Sequence, residues 1–173
     1  MALRFEVSIF SIVLAVAVVS ATIMITAATF GLADLVLAQG PAKFGFNLTG
    51  SEEVPPVETN ATSMADISAY TIAGDSITYS VNAANIEDVT AGHVHFGIQG
   101  ENGPIVFTMF EYDSPRDEVL ETGTITADKL EGPLKGKQVS DLAFAGSNGS
   151  LYMNIHTLEN PNGEIRGTSS IPP

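Results

Sequence analysis

The sequence predicts an all-β protein: a two-sheet Greek-key sandwich or barrel of about seven or eight strands, preceded by an N-terminal hydrophobic helix. Short segments that alternate apolar and polar residues follow one another along the chain, and turn residues separate them. No long amphipathic helix interrupts this series, and no repeat of roughly 20–50 residues indicates a solenoid or a propeller. Because the chain has no cysteine, its stability must come from packing and backbone pairing.

The first predicted strand is Lys43–Leu48, in which Phe44, Phe46 and Leu48 share one face. The segment Ser51–Thr62 is predicted to be a loop, since its two consecutive prolines cannot donate to a strand ladder.

Two pairs of strands follow. Asp66–Ile72 and Ile77–Ala83 both alternate, and the turn residues Gly74–Asp75 between them predict a hairpin. His93–Ile98 and Ile105–Tyr112 come next, joined by a polar loop that is rich in glycine.

Leu120–Thr126 is a further predicted strand. The segment Ala127–Gly146 has no clear period, and we expect a short helical turn within it. Leu151–Thr157 and Glu164–Ile171 are predicted to close the domain as a hairpin over the turn Asn160–Gly163.

The first 38 residues differ sharply from the rest. Within Val7–Leu37 the only ionisable side chain is Asp34, and Arg4 precedes the run. A single cation, a long apolar stretch and small residues at its end are typical of an export signal. We predict that residues 1–38 are a signal peptide cleaved near Ala38, or an uncleaved membrane anchor, since the run is long enough to span a bilayer.

Residues 39–173 are predicted to form one exported domain, extracellular or at the cell surface. They carry six basic and eighteen acidic side chains, a net charge of −12 with histidine neutral. This charge argues against nucleic acid as a partner, and it leaves the N-terminal segment as the only expected contact with a membrane.

The only three histidines of the chain are the most informative local feature. His93 and His95 are two residues apart on a predicted strand, so both imidazoles point to the same face, with Val94 and Phe96 on the opposite, buried face. His156 lies on another predicted strand. If the two strands are neighbours, the three imidazoles can bind one copper ion, or zinc as the alternative, and leave a fourth position open.

Three other residues are candidates for a fourth ligand or for a group that hydrogen-bonds a ligand: Glu164, Glu101 and Asn154. For Glu164 an ion pair with Arg166 is the favoured interpretation, and Arg166 is expected to come near His156 in the hairpin. For Glu101 a plain turn is favoured. Without metal, the histidines would have structural, hydrogen-bonding roles.

These segments resemble the CHRD domain family, named after the repeats of the secreted antagonist chordin. The matching stretches are Phe46–Val57 (FNLTGSEEVPPV), Asn85–Gly97 (NIEDVTAGHVHFG), Glu101–Val106 (ENGPIV), Gly123–Thr126 and Leu151–Gly167 (LYMNIHTLENPNGEIRG). They are distributed over residues 46–167 and follow one another in the family's order. The resemblance implies an extracellular or cell-surface β domain, and it implies no particular reaction.

A weaker likeness runs to the copper–zinc superoxide dismutases. The stretch Gly92–Gly97 (GHVHFG) is similar to their copper-ligand strand, and His156 is similar to a third copper ligand late in the chain. The bridging histidine, the cluster of zinc ligands and the disulfide cysteines have no counterpart here. The likeness therefore implies a copper site and does not extend to dismutase activity.

Two functions remain open at this point. The first is an exported, metal-binding protein that buffers copper or performs redox chemistry. The second is a non-catalytic module for adhesion, matrix building or binding of an extracellular protein or glycan, which would use exposed strand edges. A hydrolase with paired carboxylates is not supported, because the adjacent Glu52 and Glu53 would point in different directions if extended.

Overall fold

The computed structural model describes residues 43–68 and 76–171, where eight antiparallel strands form a single, nearly closed, barrel-like sheet. The strands are β1 (Lys43–Thr49), β2 (Thr62–Ser68), β3 (Ser76–Ala84), β4 (Val89–Phe96), β5 (Ile105–Arg116), β6 (Val119–Thr126), β7 (Leu151–Thr157) and β8 (Ile165–Thr168). Their order across the sheet is β5–β4–β7–β8–β1–β2–β3–β6. The predicted all-β class is confirmed, and of its two forms the barrel is the one found.

The two edges of the sheet, β5 and β6, approach each other along a seam. No β5–β6 ladder is present among the described strands, and side chains bridge the seam instead. The Tyr112 hydroxyl of β5 donates to the Glu121 carboxylate of β6, with 2.8 Å between the oxygens. The Tyr79 hydroxyl of β3 reaches across to donate to the Met109 carbonyl of β5.

Alternation places the core as the sequence predicts. In β1, Phe44, Phe46 and Leu48 are buried inside the barrel, where the two rings meet edge to face. In β7, Leu151, Met153 and Ile155 are fully buried core residues. The alternate β7 residues therefore point to the other face of the sheet, which carries the polar side chains described below.

Strand ends were predicted less well than strands. β2 begins at Thr62 and not at Asp66, because its first residues pair with the end of β1. β4 begins at Val89 and not at His93, and β5 continues to Arg116, because these segments pair with each other. Pairing with a neighbouring strand decides where a strand begins and ends, and the alternation within one strand does not show how far that pairing extends.

Three further expectations concern segments outside the predicted strands. The ambiguous segment after β6 contains the 3₁₀ turns Ala127–Lys129 and Gly132–Leu134, then one α-helix, α1 (Val139–Ser147). A helical turn was expected here, and the structure has more helix than that. The predicted turn at Gly74–Asp75 and the N-terminal segment lie outside the described residues. Within the described ranges, no helix is long and apolar enough to cross a membrane.

The strand β4 is irregular where it carries the histidines. Its pairing with β5 shifts register between Gly92 and His93 and again between Val94 and His95. Bulges of this kind re-aim side chains. Val94 is fully buried as predicted, but the prediction for Phe96 was wrong: this last residue of β4 is 40% exposed. Here the strand ends, so alternation no longer fixes the direction of its side chain.

Gly92 is required by close packing beside the first bulge. A Cβ atom at this position would overlap the ring of Phe110, a core residue of β5. A larger residue would therefore displace β4 next to His93.

We expect Gly92→Ala to destabilise the protein by about 1–3 kcal/mol, the usual cost of overpacking a core. Urea unfolding checks this value. Phe110→Leu provides the matched test, since a smaller side chain should accept the new methyl group. The cost of Gly92→Ala should be lower in the Phe110→Leu background, and equal costs in both backgrounds would contradict the packing explanation.

Candidate metal centre

The three histidines converge on one face of two paired strands. β4 and β7 are antiparallel neighbours, with Ala91 opposite His156 and His93 opposite Asn154. His93, His95 and His156 form a group in which one nitrogen of each ring lies within 4.8 Å of the others. The predicted convergence of the imidazoles is confirmed.

Backbone carbonyl groups orient two of the three rings. His95 Nδ1 is 2.9 Å from the Gly103 carbonyl oxygen, and His156 Nδ1 is 3.0 Å from the Pro161 carbonyl oxygen. Only a protonated nitrogen can donate to a carbonyl, so in each of these neutral rings Nδ1 carries the proton and Nε2 carries the lone pair. A metal-binding histidine typically donates its other N–H in this way.

The other ring nitrogens differ in whether they have a hydrogen-bond partner. His93 Nδ1 lies 2.9 Å from His156 Nε2, a hydrogen bond that links the two rings. His95 Nε2 is buried and has no hydrogen-bond partner. A buried acceptor without a partner costs free energy, so a group that bound to His95 Nε2 would remove that cost.

The spacing is close to that of a metal site. Nitrogen ligands bind zinc at about 2.0–2.1 Å in tetrahedral geometry, which places two ligand nitrogens about 3.3 Å apart. The 2.9 Å between His93 and His156 is shorter than this, and the 4.8 Å limit of the whole group is longer. The separations in the group thus bracket the spacing of ligands around a bound ion.

Burial favours the neutral form of all three imidazoles, which is the form that binds metal. Desolvation, with smaller effects of His156 and His95, lowers the pKa of His93 to about 4. Desolvation also lowers the pKa of His95 and of His156, and the carbonyl acceptor on each ring opposes that change. Near neutral pH no proton needs to leave these rings before a cation binds.

An aromatic and cationic stack supports His95. The Tyr152 ring is stacked on the His95 ring, with 4.7 Å between centroids, and the Arg166 guanidinium lies 3.4 Å from the Tyr152 centroid. Arg166, only 1% exposed, donates to the Asn102 side chain and to the carbonyls of Ile98 and Glu101. These contacts hold the loop that presents the Gly103 carbonyl to His95.

The expected ion pair between Arg166 and Glu164 was wrong: among the described residues the one ion pair joins Arg116 and Glu121 at 3.8 Å. The Arg166 guanidinium contacts the loop 98–102 instead. Backbone and amide oxygens satisfy the guanidinium, and sequence spacing does not reveal such partners.

The structure gives the three additional candidates different partners. The Glu164 carboxylate accepts hydrogen bonds from Thr59, Thr157 and Asn160, which joins two loops. Glu101 is exposed, and its backbone carbonyl binds Arg166. Asn154 lies beside His95, where its carboxamide favours the protonated imidazole.

Sequence reasoning missed one residue, Glu53. It lies in the loop after β1, is 6% exposed, and its Oε1 atom has no hydrogen-bond partner. Burial raises the pKa of Glu53 to about 7, against the opposing effects of Arg166, the Val54 amide and Asn154. A loop glutamate has no periodicity, so no pattern in the sequence marked it as buried.

Comparison with known proteins identifies the domain. The model of the CHRD domain family matches residues 44–168. No curated protein matches the chain. A solved structure described as the clock protein EA4 is 8% identical, with a TM-score of 0.38, over 78% of this chain and 97% of that chain. That likeness is too distant to bear on function.

We expect acid to destabilise the metal-free protein through its histidines. Unfolded histidines gain protons near pH 6.5, whereas folded His93 stays neutral down to about pH 4. The unfolded state then binds more protons, so this contribution to stability is complete above pH 6.5 and is lost as the pH falls toward 4.

Urea unfolding with a chelator present, at about pH 7.5 and about pH 4.5, measures this loss. The wild-type free energy of unfolding should fall more between the two values than that of His93→Gln, which cannot titrate. Identical falls would contradict the proposed role of buried, neutral His93.

Proposed function

The chain belongs to the CHRD domain family, and we propose that this member is an exported protein that binds copper through His93, His95 and His156. The observation that carries the proposal is the ligand group itself: three neutral imidazoles on two paired strands, with nitrogens within 4.8 Å. The preset Nδ1–H donors of His95 and His156 support it.

The kind of donor favours copper, with zinc as the alternative. Imidazole nitrogens suit both ions, and copper(II) binds most tightly among the divalent metals of the first row. The chain offers no thiolate, and no described carboxylate joins the group. Three protein ligands leave a coordination position for water or a small ligand, so either buffering or redox chemistry is compatible with the site.

The charge and the N-terminal segment support the rest of the proposal. A net charge of −12 over residues 39–173 attracts cations to the protein. The apolar segment within residues 1–38 supports export, by a cleaved signal or by an anchor. A protein outside the cell or at its surface would bind copper ions before they enter the cytoplasm.

The test is elemental analysis of the full chain purified without a His tag, followed by titration with Cu²⁺ and electron paramagnetic resonance. We expect about one Cu²⁺ per chain, with hyperfine structure from nitrogen ligands. If neither copper nor zinc binds specifically, the proposal fails, and the histidines have structural roles in a partner-binding module.

Each of His93→Ala, His95→Ala and His156→Ala should weaken Cu²⁺ binding by more than the roughly 10–100-fold that loss of an outer hydrogen-bond partner costs. The matched control is Glu111→Gln, which removes an exposed carboxylate from the neighbouring strand β5. Circular dichroism shows whether each variant is folded. Binding that is unchanged in a folded histidine variant would remove that residue from the site.

A further inference from the structure

Glu53 is the one buried carboxyl group among the described residues. Its Oε1 atom lies against Gly163, where any side chain would collide with it. No described cation lies within ion-pair distance of it. The nearby Arg166 donates its hydrogen bonds to Asn102, Ile98 and Glu101. The Glu53 carboxyl group is therefore buried without a direct counter-ion.

Asn154 connects this carboxyl group to the histidines. It lies on β7 opposite His93, and its carboxamide acts on both Glu53 and His95. The three atoms Glu53 Oε1, Asn154 Oδ1 and His95 Nε2 are all buried and lack well-formed hydrogen bonds. One side-chain amide thus separates the buried carboxyl group from a metal-ligating ring.

We infer that Glu53 supplies the negative charge that compensates a cation held by the three histidines, and that it loses its proton when that cation binds. This inference rests on the proposed metal site. The three imidazoles contribute no charge, so a bound Cu²⁺ would bring two positive charges into a buried region that already contains Arg166. Ionised Glu53 would balance one of them.

The other charged groups around Glu53 do not take this role. Arg166, on β8, has the same sign as the metal ion. Glu159 lies in the turn that faces the Glu53 loop across a small cavity, and it is exposed to water. Glu52 is half-buried and therefore more exposed than Glu53. Charges in water are screened, whereas a buried charge acts through a lower dielectric.

The protonation state of the metal-free protein is compatible with this role. Burial raises the pKa of Glu53 to about 7, so near pH 6.5 most molecules carry the proton. Burial favours the neutral form of the ligand histidines as well. Protons released on metal binding have three possible sources, Glu53, the histidines and water on the metal, and the comparison with a Glu53 variant isolates the share that comes from Glu53.

The experiment is calorimetric titration of the full chain with Cu²⁺ near pH 6.5, in two weakly coordinating buffers of different ionisation enthalpy. The difference in heat between buffers gives the number of protons released. Wild type is compared with Glu53→Gln and with the control Glu159→Gln, which changes an exposed residue of the same cavity. Affinities are also measured from about pH 6 to about pH 8.

Wild type and Glu159→Gln should release about 0.5–1 proton per Cu²⁺ more than Glu53→Gln does. The affinity of Glu53→Gln should lack the wild-type rise between about pH 6 and 7, and should be on the order of tenfold weaker near pH 8. In the wild type, infrared difference spectra should show loss of a protonated-carboxyl band when Cu²⁺ is added, which decides the question even if the variant does not fold.

Two results would overturn the inference, and they differ. If wild type and folded Glu53→Gln bind Cu²⁺ and release equal numbers of protons, the role of Glu53 fails and the metal site stands. If wild type binds no Cu²⁺, the metal site fails and the role of Glu53 fails with it.

Discussion

The buried guanidinium of Arg166 is the interaction on which the polar face of the barrel depends. A buried cation without acceptors is strongly destabilising, so the chain must bring oxygen atoms to it. Two carbonyls and one amide oxygen of the loop 98–102 do so, while Tyr152 covers one face of the group. The position of that loop sets the Gly103 carbonyl, and the carbonyl sets the ring of His95. The need of Arg166 for acceptors thus influences the candidate metal centre, because it positions the loop and the loop positions the His95 ring.

Much of the fold could be predicted because alternation within a strand is a local property. β1 and β7 follow their apolar patterns, and the two strands with histidines are neighbours as hypothesised. What could not be predicted depends on residues far apart in the chain. The acceptors of Arg166 lie more than sixty residues away from it, and Glu53 packs against the turn at Gly163, which is more than a hundred residues away in the chain. The prediction that Phe96 is buried was wrong for a local reason, since Phe96 is the last residue of its strand.

The polar face concentrates opposing electrostatic demands in a small volume. Desolvation favours neutral forms of His93 and of Glu53 alike, so it lowers one pKa and raises the other. The same face also holds the buried, permanent cation of Arg166. Such a region tolerates a change of charge only if another group changes with it. Burial of His93 and Glu53 makes it costly for either group to carry a charge in the metal-free protein, and the same burial would suit this region to binding an ion.

The seam between β5 and β6 has a geometric consequence of its own. These edges are consecutive in the chain, and only Asp117 and Glu118 join Arg116 to Val119. Three peptide units span at most about 10 Å, so at that end the edges are tethered covalently although no ladder joins them. At the other end, near Ile105 and Thr126, no such short link exists. Any opening of the seam would therefore have to start at the end far from Asp117 and Glu118, and it would have to break the hydrogen bonds that Tyr79 and Tyr112 make across it.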